Sequence, residues 1–171
     1  ADRHALVIGN GAYHNIDPLP NPTNDVVLIS DSLRQVGFEV TTLKDVGKRE
    51  MDRAAKAFAK RLDDAGRDAV GVFYFAGHGV AYEGENWLLP VGAEITQAVD
   101  IEYEAISANK VLKLMEGVRD ANDILVLDAC RNSPFRSFSL LGTRAATVGM
   151  RRMEAPVGSF IEYSTAPGMV A

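Results

Sequence analysis

Residues 69–79 read AVGVFYFAGHG, an apolar run that ends on a glycine-flanked histidine, His78. It lacks the polar alternation of a half-exposed strand, so it reads as a strand covered on both faces. A second run of the same kind, NDILVLDAC at 122–130, ends on Asp128 and on Cys130, the single cysteine of the chain. Two such strands imply a mainly parallel sheet with helices on both sides.

The flanking segments agree. HALVIGN (4–10) is a short first strand closed by Gly9-Asn10-Gly11, and IDPLPNPTND (16–25) carries three prolines and reads as loop. Val26, Ile29, Leu33 and Val36 recur at helical spacing after the capping candidates Thr23 and Asn24, and Gly37 ends that helix. FEVTTLKDV (38–46) is a β-branched strand. Met51, Ala54, Ala55, Phe58 and Leu62 line a second helix stopping near Gly66. VAYEGENWLLPV (80–91) reads as a hairpin around Glu83-Gly84-Glu85. Residues 107–118, with Val111, Leu114, Met115 and Val118, form a third helix. Residues 131–157 read as a long arginine-bearing loop and GSFIEYSTAPG (158–168) as a last strand. The order is β-α-β-α-β-hairpin-α-β-loop-β, and ligands of such sheets gather beyond the carboxyl ends of the strands. Ending one strand at Ala76–Gly79 and another at Asp128–Cys130 puts an imidazole and a thiol on one rim.

The totals narrow the function. The 171 residues suffice for one α/β domain. A net charge of −5 gives a nucleic-acid partner no support. One cysteine excludes an intrachain disulfide framework and a multi-cysteine zinc site. No apolar run approaches the length of a membrane helix. His4 and His14 lack partners at metal-ligand spacing and are expected on the surface or in loops. No glycine-rich phosphate loop follows a strand, and no acid-rich loop stands out for calcium, so neither metal nor cofactor is expected. The chain opens directly on a strand. A cytoplasmic setting is slightly favoured, and prior removal of an upstream targeting segment is compatible with this start.

A thiolate is a strong nucleophile, and an imidazole can take its proton or hold it as an ion pair. A lone cysteine in a strand is otherwise just a small buried hydrophobe. Its pairing with His78 at matching strand ends favours chemistry. Gly77 and Gly79 are expected to let the chain turn sharply and to leave room for a substrate backbone. N–H groups near Gly79 and Cys130 are candidate oxyanion donors. Asp128 beside the thiol is costly unless paired, and a substrate guanidinium would pair with it.

YFAGHG (74–79) and LDACRN (127–132), about fifty residues apart, resemble the two signatures of the caspase-like cysteine peptidases. Ala129-Cys130-Arg131 is kept, while Asp128 and Asn132 replace the glutamine and glycine of caspases. These departures fit the paracaspase and metacaspase (orthocaspase) branch. LVIGNGAY (6–13), NPTNDVVLISDSLRQVGFEV (21–40) and KVLKLM (110–115) resemble paracaspases in particular, so the likeness covers nearly the whole chain.

The resemblance implies a caspase-like three-layer sandwich forming one catalytic domain over 1–171. Its large-subunit region would span 1–130, its intersubunit loop about 131–157, and the start of its small-subunit region 158–171. A further strand, the usual dimer edge, and helices would follow Ala171. A homodimer and the remaining C-terminal segment are thus implied partners, and weak or absent activity is expected of the 171 residues alone. His78 would be the general base and Cys130 the nucleophile, with the Gly79 and Cys130 N–H groups facing the oxyanion. A third triad member is left open. Asp128 and Asp25 would line a pocket for Arg, less often Lys, before the cleaved bond, with Ser164 also binding substrate. For Asp25, a helix-dipole role competes. A further paracaspase acid falls on Val170 here, and Glu162 is a nearby substitute whose direction is open. Arg144, Arg151 and Arg152 are candidate self-processing sites. The implied function is a cysteine endopeptidase acting on basic peptides; the alternative is a catalytically idle interaction module of the same fold.

Overall fold

The computed structural model describes residues 2–117, 122–130, 146–148 and 150–164. Five parallel strands form the spine of the molecule. In spatial order they are β2 (Glu39–Lys44), β1 (Arg3–Gly9), β3 (Val70–Tyr82), β6 (Asn122–Cys130) and β8 (Ser159–Tyr163). The helices are α1 (Pro22–Gln35), α2 (Lys48–Ala65), a short α3 (Asp100–Glu104) and α4 (Ala108–Glu116).

Alternation along the central strands sorts the layers. Val72, Tyr74 and Ala76 pack with Ala5 and Val7 against Val26, Ile29 and Leu33 of α1. Phe73 and Phe75 point the other way, joining Leu6, Ile8, Leu125 and Leu127. That face is closed by Met51, Phe58 and Leu62 of α2 and by Val111, Leu112 and Met115 of α4. Both faces of β3 are therefore dry, which is why its sequence shows no polar break. The expected three layers are present.

The strand carrying His78 departs from expectation. It does not end at Gly-His-Gly: β3 continues to Tyr82, and neither Gly77 nor Gly79 adopts a positive φ. The chain turns only at Glu83 and Gly84, with φ of 48° and 79°, the two left-handed residues of a tight hairpin. Residues 79–82 pair antiparallel with β4 (Glu85–Leu88), and β5 (Ile106–Ser107) and β7 (Ala146–Val148) extend this second, antiparallel patch. The glycines answer to crowding instead of bending. A Cβ on Gly77 would lie 2.7 Å from both the Phe75 ring and the Tyr13 hydroxyl. One on Gly79 would run into Met150 and lie 3.0 Å from the Ala129 Cβ.

Smaller differences have local causes. Helix α1 begins at Pro22, before the expected caps, because a proline at the first helical position loses no hydrogen bond. Elements α3, β5 and β7 are too short to show a period. Strand β7 falls in the segment expected to be loop, whereas residues 150–157 run without helix or strand, as expected. His4 lies on β1, half-buried, with Nδ1 3.7 Å from Glu39 Oε2, not on the surface or in a loop.

Leu62 is fully buried between α2 and the sheet. Leu62→Ala should destabilise the fold by about 3 kcal/mol, measured by denaturant titration; a loss below about 1 kcal/mol would contradict this packing.

Candidate active site

The β1–α1 loop wraps around His78. The imidazole is 3% exposed. Its Nε2 lies 2.7 Å from the backbone carbonyl oxygen of Asp17. A carbonyl only accepts, so in the neutral ring Nε2 carries the proton and Nδ1 keeps its lone pair. Nδ1 is buried and, among the described residues, has no hydrogen-bond partner. This backbone carbonyl answers the question of what orients His78.

The histidine's own backbone is held as firmly. Its N–H donates to the Tyr13 hydroxyl at 2.9 Å, and that hydroxyl donates to the Leu89 carbonyl at 2.9 Å. The Leu89 N–H returns to the His78 carbonyl at 3.0 Å. The two rings meet at 4.7 Å between centroids. Asn10 supports the same point: its amide donates to the Leu89 and Val46 carbonyls at 3.2 and 3.4 Å and accepts from the Val46 N–H at 3.0 Å. The loop itself is pinned by Asp45, whose Oδ1 accepts the N–H groups of Gly11 and Ala12 at 2.8 and 2.9 Å.

Burial pushes the His78 pKa below its ordinary value, and the carbonyl and charge of Asp17 oppose that shift. The ring is therefore neutral at pH 7, the form able to accept a proton. Cys130 stands beside it: the parallel β3–β6 ladder makes His78 and Cys130 register partners. The Cys130 side chain lies outside the described residues.

The acids gather on the α1 side of the sheet. Asp128, half-buried near the end of β6, accepts a hydrogen bond from the Tyr74 hydroxyl at 3.1 Å. Asp25 is in the first turn of α1. Burial first, then the charge and hydrogen bond of Asp128, then the charge of Asp25, push the Tyr74 phenol far above its ordinary pKa. Two of the expected pocket residues thus act on one phenol. Ser164 follows β8 at the same rim, its N–H donating to the Leu127 carbonyl at 3.2 Å. Ile161 and Tyr163 pack into the α2/α4 layer, so Glu162 between them falls on the face that carries Asp128, where it is exposed.

Arg151 and Arg152 are exposed in side chain. The backbone of Arg151 is bound: its N–H and carbonyl pair with the Asn86 side chain, each at 2.7 Å, and Tyr163 donates to the same carbonyl at 3.1 Å. Cleavage at this expected site would require release of these bonds. Arg144 and Val170 lie outside the described residues. Among the described residues no group of three or more His, Cys, Asp and Glu is arranged to hold a metal ion, and no helix is long and apolar enough to cross a membrane.

Sequence reasoning missed Tyr13, Tyr74 and the Asp17 carbonyl. A tyrosine in a fully buried strand needs a partner for its hydroxyl, which was a usable signal for Tyr74. A main-chain carbonyl leaves none.

The lowered His78 pKa fixes a pH dependence. An unfolded histidine takes up a proton near pH 6.5, which the folded ring resists, so stability falls as pH drops from about 6.5 towards the folded pKa. Nitrogen-detected NMR should show an Nε2–H ring that titrates below 6.5; a midpoint above 6.5, or an Nδ1–H tautomer, would contradict the geometry. Tyr13→Phe leaves the buried His78 N–H unsatisfied and should cost about 1–3 kcal/mol in the same melts; no loss would mean that this hydrogen bond contributes nothing.

Comparison with known protein families matches residues 2–171 to the caspase domain, Peptidase C14. Over 130 residues the chain is 32% identical to the human mucosa-associated lymphoid tissue lymphoma translocation protein 1, and equally to its mouse homologue. The match covers 76% of this chain, which spans only 15% of the length of each relative. A crystal structure of protein GSU0716 from Geobacter sulfurreducens shares the fold, with a TM-score of 0.60 over 77% of this chain and 52% of that one at 15% identity. The family match runs from the first strand through the one bearing His78 to beyond Cys130, and the chain therefore belongs to the caspase-domain family of cysteine peptidases.

Proposed function

We propose that the protein is a cysteine endopeptidase that cuts peptide bonds after Arg, less often Lys. The observation that carries this is the state of His78, the register partner of the only cysteine: neutral, held at Nε2 by a main-chain carbonyl, with an Nδ1 that has no partner among the described residues. In the proposed reaction Nδ1 takes the thiol proton and the Cys130 sulfur bonds to the substrate carbonyl carbon. The N–H groups of Gly79 and Cys130 face the resulting oxyanion. Collapse breaks the carbon–nitrogen bond, and the imidazolium returns the proton to the leaving amine. Water, deprotonated by His78, then cleaves the thioester and restores the thiol.

The pocket for the basic side chain would be built from Asp128 and Asp25, with Ser164 at the rim. Both acids influence Tyr74, which supports a shared location. Glu162, on the same face, is the candidate replacement for the acid missing at position 170. Self-processing would fall at Arg144, or at Arg151 or Arg152 once the Asn86 bonds open. The outer edge of β8 would receive a further strand of the small-subunit region. Phe160 is 56% exposed on β8, beside a groove of about 990 Å³ lined by Met153, Ala155 and Tyr163.

A matched pair of fluorogenic peptides, one ending in Arg and one in Asp, tests the proposal. The Arg peptide should be cleaved on the order of 10³-fold faster, and Cys130→Ala should abolish cleavage. Cleavage of the Asp peptide alone would overturn the pocket. Undiminished cleavage by Cys130→Ala would overturn the mechanism.

A further inference from the structure

Tyr74 is the feature that neither the fold nor the cysteine chemistry accounts for. It is 6% exposed on β3, two residues before Ala76, the register partner of Asp128. Its ring is fixed in the α1 layer with Val72, Ala76 and Val26. Its hydroxyl extends to Asp128 Oδ2, 3.1 Å away. Packing alone would be served by phenylalanine, the residue at 73 and 75 on the same strand.

We infer that Tyr74 is a specificity residue of the basic-side-chain pocket: by fixing the plane of the Asp128 carboxylate it favours a guanidinium over an ammonium group. This rests on the proposed role of Asp128 and deepens it. A carboxylate rotates broadly about its last side-chain bond. A hydrogen bond from an immobile phenol removes that freedom. The phenol is the donor throughout the working pH range, because burial and two nearby carboxylates keep it protonated. Among the described residues this bond to Oδ2 is the one side-chain hydrogen bond of Asp128, which leaves Oδ1 and the remaining lone-pair directions for a ligand.

The two basic side chains use such a carboxylate differently. Arginine presents a rigid planar fork whose paired bonds need a coplanar partner. Lysine presents a point charge with three rotatable donors and tolerates any carboxylate angle. Loss of the hydroxyl should therefore penalise arginine more. If the hydroxyl merely satisfied a half-buried polar group, its removal would weaken both substrates alike.

The experiment compares wild type and Tyr74→Phe with two peptides differing only in Arg or Lys before the cleaved bond. kcat/KM is measured for both, and binding of both is measured on Cys130→Ala with and without Tyr74→Phe, so that slow turnover does not hide the effect. For Arg, kcat/KM should fall about tenfold; for Lys, less than about threefold, with the same change of ratio in binding. Thermal melts confirm that the variant is folded. An unchanged Arg-to-Lys ratio in the folded variant overturns the inference while leaving the pocket intact. A wild type, or Cys130→Ala protein, indifferent to both basic peptides removes the pocket itself, and Tyr74's role with it.

Discussion

One hydrogen bond, from His78 Nε2 to the Asp17 carbonyl at 2.7 Å, determines what the imidazole can do. It assigns the proton to Nε2 and leaves Nδ1 basic. A carboxylate in that place would hold the ring more strongly and raise its pKa. A neutral carbonyl orients without much charge, and burial keeps the ring unprotonated. The loop that supplies the carbonyl also supplies Tyr13, so the ring and main chain of His78 are secured by the same dozen residues. Asp45, at φ 53°, anchors that loop from the end of β2.

The sheet provides the rest. A strand of 13 residues is long, and its two halves serve different neighbours. The first half is locked between β1 and β6 in parallel register, which sets His78 opposite Cys130. The second half is clamped by β4, whose Leu89 extension closes the ring of bonds with Tyr13. His78 sits at the junction. Rotation about its backbone is opposed from both sides, and at the two glycines around it Phe75, Tyr13 and Met150 leave no room for a Cβ. Preorganisation of this kind would spare the proposed reaction the cost of arranging its base.

Much of this architecture was legible in the residues. The dry strand β3, the three long helices and the parallel order follow from hydrophobic periodicity; β6 is dry on one face only, its Ile124, Val126 and Asp128 being half-buried on the other, against the expectation of cover on both. The neighbourhood of His78 and Cys130 followed from strand ends that were only half right. Cys130 does close its strand, but His78 lies in the middle of one. Gly-His-Gly looked like a turn because glycine is read as flexibility, whereas here it answers to crowding, which is visible only once distant side chains are placed. The identity of the histidine's partner could not be read at all, since any loop residue offers a carbonyl. Tyr74 was hidden inside its own apolar strand, where a hydroxyl is easily discounted against the aromatic ring that carries it.

The central claim of the proposed function is that a thiol activated by His78 attacks carbonyl carbon beside an arginine pocket. Treatment of the native protein with a peptidyl-arginine electrophile, followed by mass mapping, tests it most directly. A single adduct on Cys130 is predicted, slowed at least tenfold by His78→Ala and replaced by no reaction with the matching aspartyl electrophile. An adduct at another residue, or equal labelling with the histidine removed, would contradict it.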